Sequence, residues 1–240
     1  MRYLILAAGM GRRMGEAQAG VPKCLIEIAG EPLIGRLLRQ IRRCDPEADV
    51  HVVLGYRSEI IAPVVAGCRI VINPFFDITG INASLWFARD AFDRPLIVIH
   101  GDVVLSDELA ADLVATGAES LIAYDSRVLD PKEINVAVAG GRITRFGVNY
   151  AGYSGAYAGL FKLSAPAARL FADTLDERVR RGFNDPRTYY FFVVRRLLAE
   201  PGIALAAFDL AAYRWQEIDY RQDIAAARAR FGGDGEPHAR

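Results

Sequence analysis

Residues 3–23, YLILAAGMGRRMGEAQAGVPK, join an unbroken apolar run to a long loop carrying glycines and cations. The run 3–7 lacks the alternation of a half-exposed strand, so it predicts a buried parallel strand. Gly9, Gly11 and Gly15 follow it. A backbone without Cβ can approach phosphates, and its N–H groups can form an anion-binding concavity. Alone, such a turn also fits an ordinary tight strand–loop connection. Two phosphate-binding patterns match poorly. The dinucleotide fingerprint G-x-G-x-x-G has Met14 at its third glycine, and Gly20 and Pro22 keep the stretch irregular; the Gly-Lys-Ser/Thr of a Walker loop is absent. What is present is a basic loop from Arg12-Arg13 to Pro22-Lys23, which suits a triphosphate. Arg13 can grip phosphate oxygens in a forked contact, and Lys23 can add a point charge near the reacting phosphorus.

Outward from that loop, strands alternate with helical stripes. Strands are predicted over 51–55, 69–72, 95–100 and 120–124. Helices are predicted over 32–44 with Pro32 in the first turn, over 57–66, over the stretch to Phe92 capped by Asn82 or Ser84, and over 106–116 capped by Ser106. After residue 125 the character changes. Gly140-Gly141 separates two short strands as a hairpin signal. Then come a strand over 157–163, helices over about 165–181 and 187–199, apolar stretches at 203–209 and 213–218, and a helix over 220–230. The expectation is an α/β fold with a Rossmann-like, mostly parallel sheet flanked by helices and a small β-hairpin/helical insertion. One domain spans 1–231, with about 125–200 as an acceptor or lid region and 232–240 as a frayed tail.

Composition sets limits. The chain has 240 residues, 52% hydrophobic and 24% charged, with Lys plus Arg equal to Asp plus Glu at 29 each. A formal charge of zero supplies no field for nucleic acid or an anionic membrane, so neither is expected as a partner. No apolar run reaches a membrane span and no leader pattern follows Met1-Arg2, so a cytoplasmic location is expected. Cys24, Cys44 and Cys68 are too widely spaced for a zinc site and read as free thiols. His51 and His100 read as core or edge histidines rather than metal ligands.

LAAGMGRRM (6–14) followed by PKCLIEIAGEPLIGR (22–36) resembles the signature of the nucleotidyltransferase family, which makes activated sugars, activated phosphocholine and similar products. The resemblance covers about residues 2–231 and implies a fold of the nucleotide-diphospho-sugar transferase type. It implies that Leu6, Ala7, Ala8, Gly9 and Gly11 line the nucleotide, that Arg13 holds the triphosphate and that Lys23 meets the α-phosphate. Asp102, just past the carboxyl end of the strand in IVIHGD (97–102), lies where open sheets bind ligands. By itself a Gly-Asp step is an ordinary turn, but in the family it carries the magnesium aspartate. WQEID (215–219) resembles the family's late segment, which makes Asp219 the second carboxylate for Mg2+. Glu217 would share its face of a strand.

VLGYRSEII (53–61) and NPFFDITGINASLWFARDAF (73–92) look most like the small cytidylyltransferases that activate phosphocholine or aminoethylphosphonate, placing Tyr56 and Ser84 near the nucleotide. The expected partners are CTP and a phosphorylated or phosphonate small molecule, with the chain a monomer or homodimer. Tyr153, Tyr189, Tyr190, Trp215 and Glu217 are the acceptor-binding candidates; Trp86, on a helix stripe, reads as core. Two departures stand out. Gly80-Ile81 occupy a position where relatives often carry paired Asn, with Asn82 displaced. Glu133-Ile134-Asn135-Val136 replaces a common Glu-Met-Lys-Val, which removes a phosphate-binding cation. The alternatives are a sugar-1-phosphate nucleotidyltransferase using UTP, GTP or dTTP, a non-catalytic nucleotide-binding module, and an NAD-binding protein.

Overall fold

The computed structural model describes residues 1–14, 20–181 and 190–232. In chain order, the first elements are β1 (Arg2–Ala7), β2 (Glu27–Ile28), β3 (Glu31–Pro32), α1 (Leu33–Cys44), β4 (Asp49–Leu54), α2 (Ser58–Ile61), β5 (Arg69–Ile72) and α3 (Ile81–Phe87). Next come β6 (Leu96–His100), β7 (Val103–Leu105), α4 (Asp107–Ala115) and β8 (Leu121–Asp125). The remainder is β9 (Asn135–Ala139), β10 (Arg142–Gly147), β11 (Gly155–Leu163), α5 (Ala165–Arg180), α6 (Phe191–Ala199), β12 (Ala206–Asp209), β13 (Trp215–Glu217) and α7 (Arg221–Phe231).

β1 lies inside a nine-stranded sheet of order β5-β4-β1-β6-β11-β8-β12-β10-β9. Its apolar run is continuous because both faces are covered. Tyr3, Ile5 and Ala7 pack on the side of α1, α2 and α4, while Leu4 packs on the side of α3, α5 and α6. β5, β4, β1 and β6 run parallel. β11 is antiparallel to both β6 and β8, and β10 is antiparallel to β9 and β12. The sheet is therefore parallel in its N-terminal half and mixed beyond β6. The Gly140-Gly141 hairpin joins β9 to β10 at the edge of this same sheet.

Several sequence expectations shift in detail. Ser106 caps α4 by accepting from the Leu109 N–H. Asn82 and Ser84 lie inside α3, whose N-cap is Gly80, because the helix begins one turn before the apolar stripe. Pro32 precedes α1 as its N-cap rather than entering its first turn. The helix over 57–66 shortens to α2 and is followed by turns. Trp86 packs at the edge of the core, its Nε1 donating to Asp176 at 2.8 Å.

A third, smaller cluster ties the chain's two ends together. Met14, Ile26, Ile28 and Leu33 pack with Val104, Ile218, Ile224 and Phe231. β13 pairs antiparallel with β7, setting Glu217 opposite Val103, and the Ile218 N–H donates to the Asp102 carbonyl at 2.9 Å. Residues 215–219 are thereby carried beside a turn more than a hundred positions earlier.

Candidate active site

Asp102 follows β6 at its carboxyl end, and Asp219 follows β13. The packing of Ile218 brings them to opposite sides of one ammonium. Lys23 Nζ donates to Asp102 Oδ2 at 2.9 Å and to Asp219 Oδ1 at 2.7 Å. Arg13 Nη1 donates to the other oxygen of Asp219, also at 2.7 Å. Burial alone would lower the Lys23 pKa, but the two aspartates outweigh it and raise it. Burial likewise pushes the Asp219 carboxyl up, and the opposing pull of Lys23 and Arg13 leaves it below the usual range. Arg13, Lys23, Asp102 and Asp219, each singled out from the sequence, therefore form one hydrogen-bonded cluster.

The fit of this cluster to a divalent ion can be tested on its donors. Asp102 Oδ1 is buried with no hydrogen-bond partner among the described residues. His100, Asp102 and Glu217 each offer a ligand atom within 4.8 Å of the others. Burial, with Asp102 and Asp219 nearby, pushes the Glu217 carboxyl up to about 8. An orphaned carboxylate oxygen and a buried carboxyl held among like charges suit a hard cation.

Two clefts open on this point. The first, about 590 Å³, is lined by Leu6, Ala8, Gly9, Met10, Arg12, Arg13, Asn73, Phe76, Asp77, Thr79, Gly80, Ile81, Ser84, His100 and Asp102. A small adjoining recess is lined by Ala7, Gly11, Lys23 and Asp102 among others. Gly11 has a φ of +63°, which only glycine adopts at little cost, and its carbonyl accepts from the Met14 N–H at 2.9 Å. Ser84 accepts from Asn73 Nδ2 at 3.1 Å. Tyr56 is not among the lining residues. Its N–H donates to the Ala8 carbonyl, and its ring packs on the lining residue Phe76 at 6.1 Å.

The second cleft, about 500 Å³, shares Asp219 with this cluster and is lined by Asp125, Arg127, Val128, Glu133, Ala156, Tyr157, Trp215, Gln216, Glu217, Tyr220, Asp223 and Arg230. Of the acceptor candidates, Trp215 and Glu217 line this cleft. Trp215 Nε1 donates to the buried Asp125 at 2.8 Å, and Arg127 grips the same carboxylate.

The other acceptor candidates are not gathered here. Tyr190 is buried in the core between β11 and α6, its hydroxyl donating to Tyr157 at 2.6 Å. Tyr153 stacks edge-on with Tyr150 on the loop before β11 and lines neither cleft. Tyr189 lies outside the described residues. Asn135, at the position of the lost lysine, donates its amide to the Asp130 and Glu133 carbonyls and so shapes the loop.

Of the residues lining the clefts, Asn73, Phe76, Thr79, Asp125 and Arg127 were not singled out from the sequence, and His100 was not taken as a site residue. His100, read as a core or edge histidine, lies on the wall of the first cleft two residues before Asp102. Its place at the carboxyl end of a strand was the signal that could have found it.

A basic N-terminal segment, carboxylates paired across Lys23 and a cleft at the carboxyl ends of parallel strands fit a nucleotide-binding transferase of the α/β class. The chain belongs to the family of the MobA-like NTP transferase domain, whose profile matches residues 3–132. It is 32% identical over 248 residues to a bifunctional IPC transferase and DIPP synthase from Rubrobacter xylanophilus, covering 96% of this chain and 53% of the relative. It is 30% identical to the CMP-5'-(3-aminopropyl)phosphonate synthase of Streptomyces rubellomurinus, covering 96% of this chain and 39% of that protein. The chain thus spans about half or less of the curated relatives it matches. Among solved structures, the CTP:phosphocholine cytidylyltransferase of Streptococcus pneumoniae superposes with a TM-score of 0.78 at 21% identity, covering 95% of this chain and 97% of that one. Among the described residues, no helix is long and apolar enough to cross a membrane.

Proposed function

We propose that this chain transfers a cytidylyl group from CTP to a small molecule bearing a phosphate or phosphonate, releasing pyrophosphate. The observation that carries the reading is Lys23 set between Asp102 and Asp219 where the two clefts meet. A triphosphate laid in the first cleft places its α-phosphorus at that junction, and an acceptor in the second cleft approaches from the opposite side. The acceptor oxygen forms a bond to the α-phosphorus while the bond to the β-phosphate oxygen breaks, and pyrophosphate leaves with that electron pair. The attacking oxygen is already anionic near neutral pH, so the site needs no general base. Catalysis then rests on holding two anions in line and offsetting their charge.

Each residue has a task in this reading. Leu6, Ala8, Gly9 and Ser84 bound the nucleoside end of the first cleft, and Ala7 and Gly11 shape the recess by Lys23. Arg13 swings from Asp219 to the triphosphate, and Lys23 turns to the α-phosphate. Asp102 and Asp219 would hold a divalent ion, taken to be Mg2+, which when bound offsets charge on the triphosphate and the leaving pyrophosphate. The aromatic rings of Tyr157, Trp215 and Tyr220 together with Glu133 and Glu217 give the second cleft an acidic, aromatic lining. Such a lining favours an acceptor with an amino or ammonium end. The names of two compared proteins, built on CMP-aminopropylphosphonate and CTP:phosphocholine, agree with that choice.

Four nucleoside triphosphates assayed against aminoalkylphosphonates, phosphocholine, inositol phosphates and sugar 1-phosphates test the proposal by pyrophosphate release. The expected outcome is release with CTP and a cationic acceptor. Release only with a sugar 1-phosphate and UTP, GTP or dTTP would move the chain to the sugar-activating class. No release with any pair would leave it a binding module.

A further inference from the structure

The second cleft holds a cation for which the transfer chemistry has no use. We propose that Arg127 binds a carboxylate at the far end of the acceptor, so that the acceptor joins an amino-acid head, ammonium and carboxylate together, to its phosphate or phosphonate. This rests on the nucleotidyltransferase reading and narrows its acceptor class.

Arg127 is fixed from one side. Its Nε donates to Asp125 Oδ1 at 2.9 Å and its Nη2 to Asp125 Oδ2 at 2.6 Å, the side-on fork of a guanidinium on a carboxylate. Asp125 is itself anchored. It is buried, its Oδ2 also accepts from Trp215 Nε1 at 2.8 Å, and its Oδ1 accepts from the Arg127 backbone N–H at 2.8 Å. A carboxylate with both oxygens engaged twice sets the plane of the guanidinium. The fork uses Nε–H and one N–H of Nη2. Nη1 has no hydrogen-bond partner among the described residues, so the end-on edge of the guanidinium is open. The side chain is about half exposed and lines the second cleft. A planar fork held ready in this way loses little freedom when it takes a second carboxylate.

The sheet says which end of the acceptor meets it. β11 is antiparallel to both β6 and β8, so β6 and β8 run the same way and finish on the same edge. One strand lies between them, which sets the end of β8 about 10 Å from the end of β6. The attacking oxygen must come within about 3–3.5 Å of the α-phosphorus, beside Lys23 and Asp102. A guanidinium tied to Asp125 is therefore remote from the reacting atoms and meets the opposite end of the molecule.

The remaining charges of the cleft ask for a zwitterion. Asp219 is taken by Lys23 and Arg13, and Asp223 accepts from the Asp219 and Tyr220 N–H groups. Glu217 belongs to the cluster at the junction. That leaves Glu133, whose carboxylate has no partner among the described residues and which lies on the same β8–β9 connection as Arg127. An ammonium at Glu133 and a carboxylate at Arg127 match both charges. An acceptor with an ammonium alone would bring like charge to the open guanidinium edge, which discriminates against it.

The test pairs acceptors that differ by one carboxylate: phosphoethanolamine with O-phosphoserine, and 2-aminoethylphosphonate with 2-amino-3-phosphonopropionate, with the homologues one methylene longer. Pyrophosphate release with CTP gives kcat/KM for each. The carboxylated member should be preferred by about tenfold or more, the scale of a charged hydrogen-bonded contact. In Arg127→Gln the ratio within each pair should collapse toward one, and Arg127→Lys should restore only part of it, because an ammonium keeps the charge without the fork. The proposal is overturned if the wild type favours the carboxylate-free member of every pair or treats both alike, or if Arg127→Gln keeps the wild-type ratio. Either result, with pyrophosphate released, leaves the transfer reading standing. Should no pair release pyrophosphate, the transfer reading fails, and calorimetric titration of the same acceptors into the wild type and Arg127→Gln decides the carboxylate preference by the same ratio.

Discussion

The two halves of the sheet are built on different logic. In the N-terminal half, β5-β4-β1-β6 run parallel, and residues 6–13, 73–84 and 100–102, which follow β1, β5 and β6, line the first cleft. In the C-terminal half, parallel and antiparallel pairings are mixed, and the second cleft is lined by residues within 125–133, 156–157, 215–223 and 230. The first cleft is a consequence of strand direction, since parallel strands present all their carboxyl-end loops on one edge. The second depends on the β13–β7 pairing and on the small apolar cluster under the N-terminal loop. The comparison teaches that strand direction lays out the first cleft, whereas the second also needs the β13–β7 pairing and the apolar cluster beneath it.

The hardest blow to both halves at once is Asp102→Ala, because Asp102 sits at their junction. Turnover, read as pyrophosphate release, should fall by about 10³-fold, comparable to removing a principal charge-stabilising group. Circular dichroism should report an unchanged fold. Lys23→Gln comes next, with a loss of roughly 10²-fold from one fewer cation at the transition state. It should also lower the melting temperature, since Asp102 and Asp219 then face each other without the ammonium between them.

Asp125→Asn separates the halves. It weakens the support of Trp215 and Arg127 in the second cleft, so the acceptor KM should rise by about tenfold, the scale of one buried charged hydrogen bond. The CTP KM should stay put, and a matching rise in it would break the distinction between the clefts.

Glu217 gives a pH signature. Its carboxyl is raised from 4.5 to about 8 in the folded chain, so between those values the folded state holds a proton that the unfolded state has lost. Stability without metal should therefore fall as pH rises across that window and level off above it. Glu217→Gln should flatten the slope in melting temperature against pH. Asp219, with its pKa lowered, acts in the opposite sense at the acid end, where its stabilising contribution is lost as the carboxylate protonates. The smallest effect is a control away from both clefts. Ser106→Ala removes the cap of α4 and should cost about 1 kcal/mol of stability with kinetic constants unchanged.

Much of this architecture was legible in the chain. The run YLILA read as a strand covered on both faces, and the cations after its glycine turn suited an anion, where the turn alone fitted an ordinary connection as well. Arg13, Lys23, Asp102 and Asp219 were each identifiable because a short motif carries each one. The caps told a mixed story: Ser106 was readable from its place before an apolar stripe, whereas Gly80 took the role expected of Asn82 or Ser84.

What only the tertiary structure decided lies at longer range. Whether Lys23 would stand between the two aspartates depended on Ile218 packing beneath the loop, a contact between residues nearly two hundred positions apart. Tyr190, an acceptor candidate, caps α6 and is buried against Tyr157 of β11, whereas His100, at the end of β6, lines the first cleft; only the packing of α6 on the sheet decided the first. The N-terminal motif was legible because it is contiguous along the backbone, whereas the second cleft exists only once distant strands have paired.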